Sequence, residues 1–278
     1  MAINSIAIKQ IIGAWAFDSS DEIKWMCSQV ENLQIQQDGE TTEKKDANGS
    51  TIFSIDKNKS CTISFDSSVL DLNLIAALNG TERVDATNDA PILVPYIERF
   101  TLSAADVTAG YVTLSKTPAT ISGTDFSNNI SFHTLTTDNS LEDNYAQVGS
   151  AATSTKFYFN PTGNKLYFPT DATIFKAGCK IEVIYDYSVT AGVKVVNAAD
   201  KFPDAAKVRF LVLAVDLCDQ TQVRALWITA KNAKPQTGNT IGFNLDDTIS
   251  VTLNLAYSYC DTDKSFYEIS VADETFAW

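Results

Sequence analysis

"NGSTIFSIDKNKSCTISFDSSVLDLNLIAALNG", residues 48–80, holds the transition on which the fold turns. Thr51–Ile55 and Cys61–Phe65 read as strands, and Thr62–Phe65 alternates polar and apolar side chains, as half-buried strands do. The polar turn Asp56-Lys57-Asn58-Lys59 between them predicts a hairpin. Ser68-Val69-Leu70-Asp71 then has the spacing of a capping box, and Gly80 is placed as a stop. Leu70, Leu74 and Ala77 form one helical stripe, which Ile75 and Leu78 widen. A helix of about ten residues is not stable alone in water. Leu70, Leu74 and Leu78 are therefore the candidate core or interface of a helix that packs on its own sheet or on a neighbouring chain.

Upstream, "EIKWMCSQVENLQIQQ" (22–37) predicts a strand from Val30 to Gln37. Leu33 and Ile35 fall on one face, and Asn32, Gln34 and Gln36 on the other. "DGETTEKKDANGS" (38–50) has almost no apolar side chains and reads as a solvated loop, either a flexible arm or a long hairpin tip. Ile11–Phe17 reads as a first strand, because its apolar core of about seven residues is at the lower limit for a signal peptide. Downstream, 96–190 is a series of short strand-like pieces. The turn Asn160-Pro161-Thr162-Gly163-Asn164 separates "KFYF" from "KLYF". The size and turn spacing are those of an immunoglobulin-like β-sandwich. "KVRFLVLAVD" (207–216) is apolar on both faces and predicts a central strand. "TISVTLNLAYSY" (248–259) alternates throughout. Ile249, Val251, Leu253, Leu255, Tyr257 and Tyr259 share one face, and small polar residues including Thr252 and Asn254 share the other.

The 278 residues carry a formal charge of −13. Such a surface repels nucleic acid and anionic membranes and lacks the clustered basic face of a sequence-reading DNA-binding domain. No apolar run has the roughly 18–20 residues of a membrane span. There are five cysteines, no CxxC and one histidine, His133, so no zinc set is spaced for binding. Cys218 and Cys260 each follow a strand in a weak internal echo, and whether they pair is open. Phosphate-binding glycine loops and a G-x-S-x-G elbow are absent. A lone strand histidine is a structural or surface residue without a positioned partner. No two carboxylates are singled out as a glycosidase pair. The acidic turns Asp85–Asp89 and Asp261–Asp263 do not match an EF-hand loop. We expect no enzyme, no cofactor and no metal.

The segment 48–80, with "KWMCSQVENLQIQQDGE" before it, resembles the major tail tube proteins of tailed bacteriophages. The closing stretch "CDQTQVRALWITAKNAKPQTGNTIGFNLDDTISVTLNLAYSYCD" is similar to their last strands. The resemblance implies a mainly β fold: a tail-tube β-sandwich or barrel with one short helix, interrupted by a small inserted β-sandwich. The expected domains are 1–95 and 191–278 for the tube, and 96–190 for the immunoglobulin-like insert. It implies a structural virion protein that self-assembles into stacked hexameric rings, a conduit for genome delivery. Asn32, Gln34, Gln36, Thr252 and Asn254 are the candidate lumen-facing residues. The implied partners are further copies, a terminator, a tape measure and, in a contractile tail, a sheath. Viral DNA would pass through without specific binding, no membrane would be engaged, and assembly would take place in the host cytoplasm before incorporation in the virion tail. The alternatives are a head decoration or tail adaptor protein, and a surface adhesin or carbohydrate-binding module exposing Tyr158 and Tyr167.

Overall fold

The computed structural model describes residues 5–120, 129–217, 221–238, 240–242, 248–257, 262, 264–272 and 275–276. Within them the chain is mainly β. The first segment runs through β1 (Ile6–Phe17), β2 (Ile23–Cys27), β3 (Val30–Lys45), β4 (Thr51–Ser67) and helix α1 (Leu72–Leu78). The middle carries β5 (Val84–Asp85), β6 (Ile92–Thr101), helix α2 (Ala104–Ala109), β7 (Tyr111–Thr113), β8 (Ile130–Leu135), β9 (Leu141–Gln147), β10 (Lys156–Asn160), β11 (Lys165–Tyr167), β12 (Lys180–Val189) and β13 (Val193–Lys194). The last segment holds β14 (Ala206–Asp216), β15 (Val223–Pro235), β16 (Thr240–Ile241), β17 (Ile249–Leu255) and β18 (Glu268–Val271). Two compact units result: residues 1–83 with 195–278, and residues 84–194.

The first unit is built on one sheet in the order β2-β1-β14-β15-β17-β4-β3, with β16 beside β17 and β18 beside β15. β14 is central, as its two-sided apolar run predicts. The two ends of the sheet, β2 and β3, are joined only by Ser28-Gln29, so the sheet curls back on itself. The Cys27 thiol donates to the Ser67 hydroxyl across this corner at 3.2 Å. Ile63, Phe65, Phe210, Val251 and Leu253 fill the interior with almost no exposure. Phe65 and Phe210 meet edge to face, 5.5 Å apart.

The predicted hairpin at 51–66 is corrected by the structure: residues 51–67 form one continuous strand, β4. The Asp56–Lys59 signal marks a bulge. Asn58 takes the left-handed conformation at φ 57, and the register slips between Asp38–Ser60 and Glu40–Lys57. Most of the expected 38–50 loop is likewise the distal half of β3, paired with β4 as far as Lys45. The true turn is Asp46–Ser50, closed by the Asp46 carboxylate on the Asn48 and Ser50 amides at 2.9 and 2.8 Å.

The helix also starts later than the capping box predicts. Asp71, not Ser68, is the N-cap, and its carboxylate accepts from the Asn73 and Leu74 amides at 2.7 and 3.2 Å. Gly80 ends it as expected. The Gly80 and Thr81 amides bond back to the Ala77 and Ala76 carbonyls, and Gly80 adopts φ 67. A second helix, α2, went unread. It has the same kind of signals: Ser103 and Asp106 form a reciprocal capping box, and Gly110 is a left-handed C-cap.

The second unit is a seven-stranded sheet in the order β6-β12-β8-β9-β10-β11-β7. Phe157 and Phe159 of β10 and Leu166 of β11 share one core with Phe132 of β8 and Ile181 and Val183 of β12. Pro95 is accommodated because β6 is an edge strand. The short β5–β13 pair sets the entry of this unit beside its exit.

Candidate functional site

Strands β3, β4 and β17 lie side by side, and over Leu33–Gln36, Cys61–Ser67 and Ile249–Leu255 they alternate, so every inward residue leaves its neighbour facing outward. Inward go Ile63 and Phe65 of β4 and Val251 and Leu253 of β17. Outward, register partners line up in two rows, Gln34–Ser64–Thr252 and Gln36–Thr62–Asn254. Four of the five predicted residues are thus brought onto one face by β4, whose Thr62 and Ser64 the sequence reading passed over. Asn32 reaches the face differently. It is a bulge residue at φ 52, where the register slips between Glu31 and Gln34. That bulge lets Val30, Leu33 and Ile35 all turn inward despite their uneven spacing. The Asn32 side-chain amide donates to Asp66 at 2.8 Å, and the Ser250 hydroxyl donates to the other oxygen of the same carboxylate at 2.6 Å.

The chemistry of this face is that of hydroxyls and carboxamides. Its carboxylates are Glu31, Asp66 and, at the base of the arm, Asp38, which accepts from the Gln36 amide at 3.0 Å; the first cation met is Lys234, the register partner of Asn254 on β15. Among the described residues no cluster of His, Cys, Asp or Glu could hold a metal. His133 is buried in the second unit, where its Nε2 lies 2.7 Å from Glu182.

Beyond Gln37 and Cys61 the β3–β4 hairpin continues as an arm, and residues 38–60 are all exposed. It carries five carboxylates and four lysines. Ile52, Phe53 and Ile55 on it are about half exposed or more, at 62%, 47% and 55%. Phe53 and Ile55 share a face with their partners Lys44 and Thr42. Among the described residues β17 pairs with β4 only from Cys61 onward, and both edges of the arm are unpaired. Asn58 stiffens the arm by donating to Glu40 at 2.8 Å.

Of the helix residues, Leu74 and Leu78 are buried in the core of the first unit. Leu70 precedes the helix and is 48% exposed, next to exposed Val69. Cys218, Cys260 and Tyr259 lie outside the described residues. Tyr257, expected on the core face with Ile249–Leu255, is exposed beyond the end of β17. A second outward face was missed. Trp15 of β1 meets Trp227 of β15 at 5.9 Å, and Lys207 and Arg209 of β14 lie over the Phe17 ring. The signal was the alternation of Ala14 and Ala16 with Trp15 and Phe17.

A family model, that of the YomU/Tube protein family, matches residues 7–267. No curated protein matches the chain.

Proposed function

The chain belongs to the YomU/Tube protein family, and on that premise we propose that it stacks as hexameric rings into a phage tail tube that conducts the genome. The observation that carries this reading is the pairing of two features in the first unit: an outward face of hydroxyls and carboxamides, and an arm whose residues are all exposed. A wall that lets DNA slide must not bind phosphate. Each lysine or arginine contact would release counterions and hold the duplex. Asn32, Gln34, Gln36, Thr252 and Asn254, with Thr62 and Ser64, offer hydrogen-bonding groups without positive charge, and the net charge of −13 acts in the same sense.

The arm supplies the contact between copies. Two long edges, unpaired among the described residues, and exposed Ile52, Phe53 and Ile55 would be an aggregation liability in a monomer. In a tube they are covered by the next copy. The free edges of β2 and β3 close in the same way, each subunit extending its neighbour's sheet. In this reading the unit at 84–194 is an immunoglobulin-like insert carried by the ring. The subunit is a virion tail component assembled in the host cytoplasm, with no enzymatic role. It meets a terminator, a tape measure and, where the tail contracts, a sheath.

The test is a double substitution, Thr252→Lys with Asn254→Lys. Tubes should form as in the wild type, while genome delivery slows and infectivity drops. Wild-type infectivity from such tubes removes these strands from the lumen.

A further inference from the structure

Strands β10, β11 and β7 of the second unit turn Phe157, Phe159, Leu166 and Val112 into its core. Their opposite face carries Tyr158, Tyr167 and Tyr111, which are direct register partners across the three strands. The rings form a continuous strip. Tyr158 stacks on Tyr167 at 5.8 Å, and Tyr167 meets Tyr111 at 5.2 Å. All three are partly exposed, and none of their hydroxyls is hydrogen-bonded among the described residues. Lys165 lies on the same face with its ammonium 4.4 Å from the centre of the Tyr111 ring. Lys156, two residues before Tyr158, alternates onto that face as well. None of the three strands contains an aspartate or glutamate. In a chain of net charge −13 this is a local patch of aromatic rings with two lysines on strands that hold no carboxylate.

We propose that this tyrosine ladder is a binding site for an acidic polysaccharide. Pyranose rings present flat apolar C–H faces rimmed by hydroxyls, which suits a strip of phenol rings with free hydroxyl groups. The rings recur at about the strand spacing of ~4.8 Å, so an extended sugar chain can lie across successive tyrosines. Lys156 and Lys165 supply the charge complement to carboxylates on the sugar. Remote acidic groups beyond about 8 Å are screened at physiological ionic strength. Single-stranded nucleic acid also stacks on aromatic platforms. Such sites also have a positively charged groove that tracks the phosphates, whereas this strip has only Lys156 and Lys165 beside it.

This site is independent of tube assembly, and the experiment keeps the two apart. The full chain is run in native gels containing polygalacturonate, other polyuronates, neutral dextran or no polymer, with oligo(dT) as competitor. The polyuronates should retard the wild type and dextran should not. Tyr167→Ala should weaken binding about tenfold or more, the size expected of one stacked ring. Lys165→Glu, which leaves the ladder in place, should abolish retardation, and added salt should weaken the wild type. Ring and tube formation by the same samples should be unchanged. A melting curve for each variant shows that it is folded, and Lys165→Glu decides should Tyr167→Ala not fold. No retardation by any polyuronate, equal retardation by dextran, undiminished binding by Lys165→Glu, or displacement by oligo(dT) at lower concentration than by soluble polyuronate overturns the proposal.

Discussion

Gly80 ends α1 in the left-handed region, and the Phe202 backbone lies 2.2 Å from where a Cβ would stand. Gly80→Ala adds roughly 1–2 kcal/mol of left-handed strain to a clash that no rotamer relieves. Denaturant titration should show a loss above about 2 kcal/mol. Leu74 and Leu70 are harder to tell apart in sequence, because Ser68 and Asp71 are both good caps. The deciding contact is distant in the chain: Ser67 accepts from Cys27 and donates to the Val69 carbonyl at 2.9 Å, so the chain leaves β4 in a bonded turn and Asp71 takes the cap. Leu74→Ala should therefore cost roughly 2–5 kcal/mol, and Leu70→Ala less than about 0.5 kcal/mol. Equal losses contradict this placement of the helix start. In the second unit Arg99, Glu182 and His133 are register partners on three adjacent strands. Burial pushes the Glu182 carboxyl up, but its bonds to Arg99 and His133 outweigh that and hold it below the ordinary 4.5. A carboxyl lowered on folding contributes stability that is present above the ordinary value and is lost as pH falls through the folded one. Below about pH 4.5 the wild type should lose melting temperature more steeply than Glu182→Gln. Parallel curves would show that the pair contributes nothing.

The arm is the element that sequence patterning hides. A strand is legible when one face is buried, as in β17, where Ile249, Val251, Leu253 and Leu255 are all core. In residues 38–50 both faces meet water, so no apolar period remains and a paired strand reads as loop. Asn58 deepens the error, since a left-handed asparagine serves a turn and a bulge equally well. The polar face escaped in part for the opposite reason: Gln34, Gln36, Thr252 and Asn254 were legible on their own strands, but only pairing through β4 joins them. Because the arm's apolar residues lie outside both cores and are about half exposed or more, Phe53→Glu with Ile55→Glu should shift stability by no more than about 0.5 kcal/mol per site. Assembly measured by light scattering should nevertheless be lost. A variant that assembles as the wild type does would remove the arm from the subunit contact.

At the scale of the whole chain, two units with separate cores are threaded on one polypeptide. The change of texture in sequence falls at Tyr96, whereas β6 begins at Ile92 and the second compact unit at Val84. The reason is local: 84–91 is polar, and its place is set by the pairing of Val84-Asp85 with Val193-Lys194. That pairing leaves the cut ends about one strand spacing apart, ~4.8 Å. Replacing 84–194 by a short Gly-Ser linker should give a protein that unfolds in one cooperative transition, and a molten product would contradict the independence of the first unit. The central claim concerns many copies rather than one. Electron microscopy of the concentrated wild-type protein, alone and with preformed tail tips as seeds, tests it most directly. The account predicts six-fold rings stacked into tubes with an open channel; a protein that stays monomeric at every concentration, seeded or not, contradicts it.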